Sequence, residues 1–195
     1  MIGIIYYGAG NIFSLSAALE RLKLRYGIIN QDVDFDQYDR YIIPGVGHAS
    51  PAMAKLTNTG LIPMIQATQK PVLGICLGMQ LLTNFSEEGN TLLTGIIPLK
   101  TQHFDPALTN KIPHMGWNKV AIEKRHYLLD QIKDEEYFYF VHSYFVEFSS
   151  NFTTASTEYG IKFSSIIQKN NFCGVQFHPE KSGQAGEQLL INFAK

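Results

Sequence analysis

Cysteine, histidine and glutamate together can run nucleophilic chemistry, and this chain of 195 residues carries each in a suggestive setting. Cys76 lies in Val72-Leu73-Gly74-Ile75-Cys76-Leu77-Gly78-Met79-Gln80. An apolar, β-branched run ends on one glycine, the thiol follows, and a second glycine opens a helix-like segment running to Phe85. The pattern is strand, sharp turn, helix, as in the G-x-S-x-G nucleophile elbow with Cys in place of Ser. The glycines leave room for a tight turn, and a thiol at a helix N-terminus is biased toward thiolate. A core cysteine beside two packing glycines would read the same, so the stretch needs a base to become decisive.

Val175-Gln176-Phe177-His178-Pro179-Glu180 supplies one. His178 ends a predicted strand, and Pro179 drives the residue before it into extended backbone. Residues two apart in extended chain share a side, so the Glu180 carboxylate is expected to meet the His178 ring, fix its tautomer and stabilise its cation. Cys173, the other cysteine, has no elbow and stands five positions before His178. That is roughly 16 Å along a strand, and it is read as a core residue. Pro44-Gly45-Val46-Gly47 follows another strand. A backbone N–H there, with that of Leu77, is placed to face a developing oxyanion.

Other chemistries find less support. Gly8-Ala9-Gly10 after the first strand starts a dinucleotide fingerprint, but its third glycine position is Phe13. No two histidines, and no histidine and cysteine, stand at metal-ligand spacing, so neither metal nor cofactor is expected. His114 and His142 read as hydrogen-bonded structural residues and Trp117 as core. A net charge of −1 without basic clusters argues against nucleic acid or an anionic membrane as partner. No apolar run reaches the roughly 18 residues that span a bilayer. Two cysteines form no disulfide framework, so a reduced, cytoplasmic protein is expected.

The elements that must position these residues read as one α/β domain over 1–195. Strands are predicted at 2–7, 26–30, 41–43 and 72–75, a loop at 32–39, and helices at 11–24, from about Met53 and Leu56, and at 61–68. Strand–helix alternation gives a parallel sheet with helices on both faces. The second half is strand-rich, at 95–99, 117–122, 137–148, 153–158, 161–168 and 172–177, with a hairpin turn at Glu158-Tyr159-Gly160 and a closing helix over 184–193. The expected sheet is mixed, parallel at its centre with added antiparallel strands.

The Gly74-to-Gln80 elbow and His178-Pro179-Glu180, about a hundred residues apart, resemble class I, triad-type glutamine amidotransferases. Tyr7-Gly8-Ala9-Gly10-Asn11, Pro44-Gly45-Val46-Gly47, Pro113-His114-Met115-Gly116-Trp117-Asn118, Val141-His142-Ser143-Tyr144 and His178-Pro179-Glu180-Lys181-Ser182 resemble, within that class, the glutaminase subunits of imidazole glycerol phosphate synthases. The resemblance implies a flavodoxin-like fold, L-glutamine as substrate and a Cys76–His178–Glu180 triad, with the oxyanion held at Leu77 and by a Gly45–Val46–Gly47 loop that reorients when the partner is liganded. It implies that Gln80, Glu88, Ser143 and Tyr144 grip the amino-acid end of glutamine. It also implies a (β/α)8-barrel cyclase partner that receives the ammonia for histidine biosynthesis, with Trp117, Asn118 and Lys181 near the interface. Tyr6, Ala9 and Phe13 depart from the family's usual Asp, Met and basic residue. They leave open a paralogous subunit that serves amidination of surface-glycan sugars. A non-catalytic regulatory subunit is the alternative of another class, against which the intact triad speaks.

Overall fold

A computed structural model describes residues 1–30, 32–109 and 111–195, with the backbone alone for residues 32–34. The first half forms strands β1 (Ile2–Ile5), β2 (Tyr26–Ile29), β3 (Arg40–Gly45) and β4 (Val72–Cys76). Between and after them come helices α1 (Ile12–Arg21), α2 (Ala49–Asn58), α3 (Ile62–Ala67) and the short α4 (Leu77–Leu81). The second half adds β5 (Phe85–Ser86), β6 (Thr91–Leu92), β7 (Lys100–His103), β8 (His114–Ile122), β9 (Glu136–His142), β10 (Tyr144–Glu147), β11 (Thr153–Tyr159), β12 (Ile161–Lys169) and β13 (Phe172–Val175). Helix α5 (Gly183–Ala194) closes the chain.

Five strands run parallel in the order β2-β1-β3-β4-β13. This is the flavodoxin-like order, in which ligands sit outside the carboxyl ends of the strands. The remaining strands extend the sheet from β13 through β12 and β10, chiefly as antiparallel pairs, with β11, β8 and β9 branching from β12. The expected mixed sheet with helices on both faces is what forms.

Alternation along the central strands explains the two faces. Ile42, Leu73 and Ile75 point to one side, where they pack with Leu15 and Leu19 of α1 and Leu189 and Phe193 of α5. Tyr41, Ile43 and Val72 point to the other, with Ala52 and Leu56 of α2 and Ile65 of α3. Strands covered on both faces read as continuous apolar runs, as β1 and β4 do. Each fully buried Leu or Ile contributes about 1.5–3 kcal/mol. A one-residue slip would exchange the faces of every such side chain, so the register is firmly set. Asn11 starts α1, its side chain accepting from the Ser14 N–H at 3.2 Å.

Several elements depart from expectation. Strand β3 runs through Pro44 and Gly45, which pair with Ile75 and Cys76, where a turn was expected. Residues 32–37 form a 3-10 helix within the expected loop. Helix α4 stops at Leu81 because the chain turns into β5, Thr83 Oγ1 donating to the Gln80 carbonyl at 2.8 Å. The apolar run 95–99 is no strand. Its Gly95 and Ile97 N–H groups bond to the Thr83 and Leu82 carbonyls at 3.0 and 2.8 Å, so it wraps the end of α4. The expected strand over 137–148 breaks at Ser143 because its halves change partner: β9 pairs with β8, β10 with β7 and β12.

Candidate active site

The carboxyl ends of β3, β4 and β13 bring the predicted residues together. Cys76 is the last residue of β4 and has φ 54° and ψ −111°. Positive φ is costly for a residue with a Cβ and persists only where the surroundings enforce it. The surroundings are the glycines. A Cβ on Gly78 would lie 1.8 Å from the Ile43 carbonyl oxygen, one on Gly74 2.5 Å from the Gly78 oxygen, and one on Gly45 2.6 Å from the Gly78 nitrogen. The elbow is thus pressed backbone-to-backbone onto the end of β3, which explains the spacing seen in the sequence.

Past β13, the chain continues extended. Its alternation sends Phe177 into the core, stacked on Phe138 with ring centres 4.0 Å apart, and turns Gln176 and His178 toward the thiol. Gln176 Nε2 lies 3.7 Å from Cys76 Sγ. His178 is extended, as Pro179 predicts, and its N–H donates to the Tyr139 carbonyl at 2.9 Å. His178 Nδ1 meets Glu180 Oε1 at 2.9 Å, with both side chains only 3% exposed. The contact is the expected one, but its cause differs. Residues 179–181 form a 3-10 turn that curls the carboxylate back beneath the ring. Ser182 fastens the turn, donating to the His178 carbonyl at 2.6 Å and accepting from the Tyr139 N–H at 3.0 Å.

Burial on its own would lower the basicity of His178. The sulfur of Cys76 and the Glu180 carboxylate outweigh it and raise the imidazolium pKa to about 10. With Nδ1 engaged by Glu180, Nε2 has no nitrogen or oxygen partner among the described residues and is left for the Cys76 sulfur. A ring held in that way accepts a proton at Nε2 and is stabilised as the cation from behind.

A cavity of about 430 Å³ opens beside the thiol, within the range of small-molecule sites. Cys76, Leu77 and His178 line it together with the expected Val46, Gly47, Gln80, Glu88, Ser143 and Tyr144. Gly45 packs the elbow, and Glu180 lies behind His178, so neither reaches this wall. Gln80 Nε2 donates to the Tyr144 carbonyl at 3.0 Å and to Gln176 Oε1 at 3.1 Å. Glu88 accepts the Ala49 N–H at 2.7 Å and contacts His48 Nδ1 at 2.9 Å. It thereby caps α2 from a distance while facing the cavity.

Sequence reasoning missed His48, Pro113, Val141 and His142 on the cavity wall and Gln176 at the sulfur. The signal for Gln176 was its position two before His178. The pairing of His114 with His142 was invisible in the spacing because it is made across strands, where the two residues are in register. His114 Nδ1 and His142 Nε2 are 2.9 Å apart. Burial lowers both rings, to about 4 for His114 and about 3 for His142, so both are neutral. Cys173 is a buried core thiol, as expected. It lies 3.7 Å from His126 Nε2, and burial pushes its pKa up to about 12.

Trp117 is 55% exposed, so it lies at the surface, in keeping with the interface position that the family resemblance implies, and not in the core where its residue type alone places it. It lies against Gly183, two residues after the exposed Lys181. Asn118 points the other way along β8, toward His114 Nε2 at 3.2 Å and the Glu158 carbonyl at 3.1 Å.

The family model described as "Glutamine amidotransferase class-I" matches residues 4–195. The chain belongs to the class-I glutamine amidotransferases. Among curated relatives of this amidotransferase, "Imidazole glycerol phosphate synthase subunit HisH" of Pasteurella multocida is 46% identical, covering 100% of this chain and 97% of its own. The subunit of the same name from Blochmanniella floridana is 47% identical, covering 97% and 96%. Among solved structures, PurLQS from Thermotoga maritima superposes with a TM-score of 0.72 at 15% identity, covering 98% of this chain and 96% of that one. That likeness concerns the amidotransferase fold alone.

Proposed function

We propose that this chain is the glutaminase subunit of an imidazole glycerol phosphate synthase. It hydrolyses L-glutamine and passes the ammonia to a (β/α)8-barrel cyclase partner in histidine biosynthesis. The observation that carries the chemistry is the buried His178–Glu180 pair, 2.9 Å apart, set beside a strained elbow cysteine that lines a cavity of about 430 Å³. The choice of pathway is supported by relatives at 46–47% identity over nearly the whole chain.

In this account Cys76 gives its proton to His178 Nε2 and its sulfur attacks the glutamine carboxamide carbon. The N–H of Leu77 and an N–H of the Val46–Gly47 segment receive the oxyanion. Gly45 contributes by packing the elbow. His178 returns the proton to the departing nitrogen, releasing ammonia and leaving a γ-glutamyl thioester. Water, deprotonated by the same ring, then frees glutamate and restores the thiol. Glu180 stabilises the His178 cation throughout. Gln80, Glu88, Ser143 and Tyr144 hold the amino-acid end of the substrate. Ammonia in neutral water is mostly the non-nucleophilic ammonium ion, which is the physical reason for channelling it. Trp117, exposed against Gly183, and the exposed Lys181 of the triad turn are offered to the cyclase, and Asn118 supports β8 from its inner face.

Among the described residues no helix is long and apolar enough to cross a membrane. Both cysteines are free thiols, in keeping with a reducing, cytoplasmic setting. The test is to combine the chain with the cognate cyclase and its nucleotide substrate and measure glutamate and imidazole glycerol phosphate. Stoichiometric formation of both is expected. Glutamate without imidazole product would refute the pathway, and ammonia would then serve another acceptor such as a surface-glycan sugar.

A further inference from the structure

Gln176 is fully buried and enters the site from the same strand end as His178. Its amide can be oriented without ambiguity. The Tyr144 carbonyl only accepts, so the Gln80 atom 3.0 Å from it is the nitrogen. The other hydrogen of that nitrogen points to Gln176 at 3.1 Å, so the atom it meets is Oε1. The Gln176 nitrogen must then face Cys76 Sγ, at 3.7 Å, within reach of a sulfur acceptor. His142 Nδ1 donates to the same Tyr144 carbonyl at 2.8 Å and helps anchor the origin of this chain. The Gln176 backbone is pinned as well, its N–H donating to the Ser165 carbonyl at 2.9 Å.

Resting on Cys76 as the nucleophile, we propose that Gln176 is a further catalytic residue. Its side-chain N–H stabilises the Cys76 sulfur as thiolate and fixes its line of attack. A hydrogen bond to an anion is worth more than one to a neutral thiol, so the contact favours the ionised form. The donor is neutral and buried, and it brings no competing charge to the His178–Glu180 pair. Gln80 holds the Gln176 oxygen, which prevents the amide from turning its acceptor toward the sulfur. Gln80 thus has two tasks, one at the cavity wall and one as the positioning residue for this donor.

The test reads the sulfur directly, without glutamine or a partner. Alkylation of Cys76 by iodoacetamide is followed by peptide mass spectrometry from about pH 5 to about pH 10, with buried Cys173 as the internal control. Gln176→Met keeps length and burial but removes the donor. It is expected to slow alkylation at neutral pH about tenfold and to move the midpoint of the pH profile upward by about one unit. Gln176→Glu sets a carboxylate against the sulfur and is expected to slow it further. Gln80→Met, which does not touch the sulfur, is expected to give a smaller slowing. A Gln176→Met protein with native circular dichroism and a wild-type alkylation profile overturns the proposal. Should that variant not fold, a wild-type profile in Gln80→Met does so. Wild-type Cys76 alkylating no faster than Cys173 would instead overturn its role as nucleophile, a result distinct from either.

Discussion

Replacing Glu180 by Gln tests how the base is built. The substitution keeps shape and removes one charge from a pair 2.9 Å apart whose side chains are each 3% exposed. Breaking such a buried pair while its partner stays charged costs about 3–5 kcal/mol. The raised pKa keeps His178 charged in the resting enzyme at neutral pH. Without the Glu180 charge the ring gives up that proton more readily, and the catalytic step must form the cation without its partner, so the loss is felt in both stability and rate. At 1.36 kcal/mol per tenfold, kcat is expected to drop by about a hundred- to several-thousand-fold. KM for glutamine should change little, because Glu180 lies behind the ring and away from the cavity wall. The sign of the pH effect follows from the raised pKa of His178. Its contribution to stability is fully present below about 6.5 and is lost as pH rises toward about 10. The Tm gap between variant and wild type should therefore be widest below about pH 6.5 and narrow on the alkaline side. Steady-state glutamate release and thermal melts across pH measure both. A Gln variant turning over near the wild-type rate would refute the orienting role of Glu180.

Further expectations follow from other contacts. Gly78→Ala places a Cβ 1.8 Å from the Ile43 carbonyl oxygen; it should cost at least about 2 kcal/mol, read as roughly 4–8 °C in Tm. The neutral His114–His142 pair has lowered pKa values, so its stabilising contribution is present above about 6.5 and is lost as pH falls toward about 4 and about 3. His114→Phe, which keeps the stacking on Tyr159, should flatten the fall in Tm between neutral pH and pH 5, and an unchanged slope would contradict this. Trp117→Ala removes an aromatic that is 55% exposed. It should leave Tm unchanged and weaken cyclase binding about tenfold or more by calorimetry.

What the sequence discloses depends on the range of the interaction. The elbow was legible because a positive-φ cysteine packed onto β3 demands glycine at 74 and 78, both within a few residues of it. His178 and Glu180 were legible because Pro179 and the short separation confine them, although a 3-10 turn, not extended chain, makes the contact. Contacts across strands were not legible. The break at Ser143 follows from a change of strand partner, and the His114–His142 pair from a register that no local spacing encodes. Periodicity marks which residues of β8 alternate but not which side faces solvent, so Trp117 read as core. The run 95–99 read as strand because it is apolar, yet its N–H groups serve the end of α4.

The proposed role of Cys76 is to turn glutamine into glutamate and ammonia for a cyclase. It is tested most directly by measuring glutamate release from the chain with its cognate cyclase and nucleotide present, in wild type and Cys76→Ala. Release is expected in the wild type and is expected to be lost in Cys76→Ala, while the variant still binds the cyclase. Undiminished release in Cys76→Ala, or none from the wild type, would contradict it.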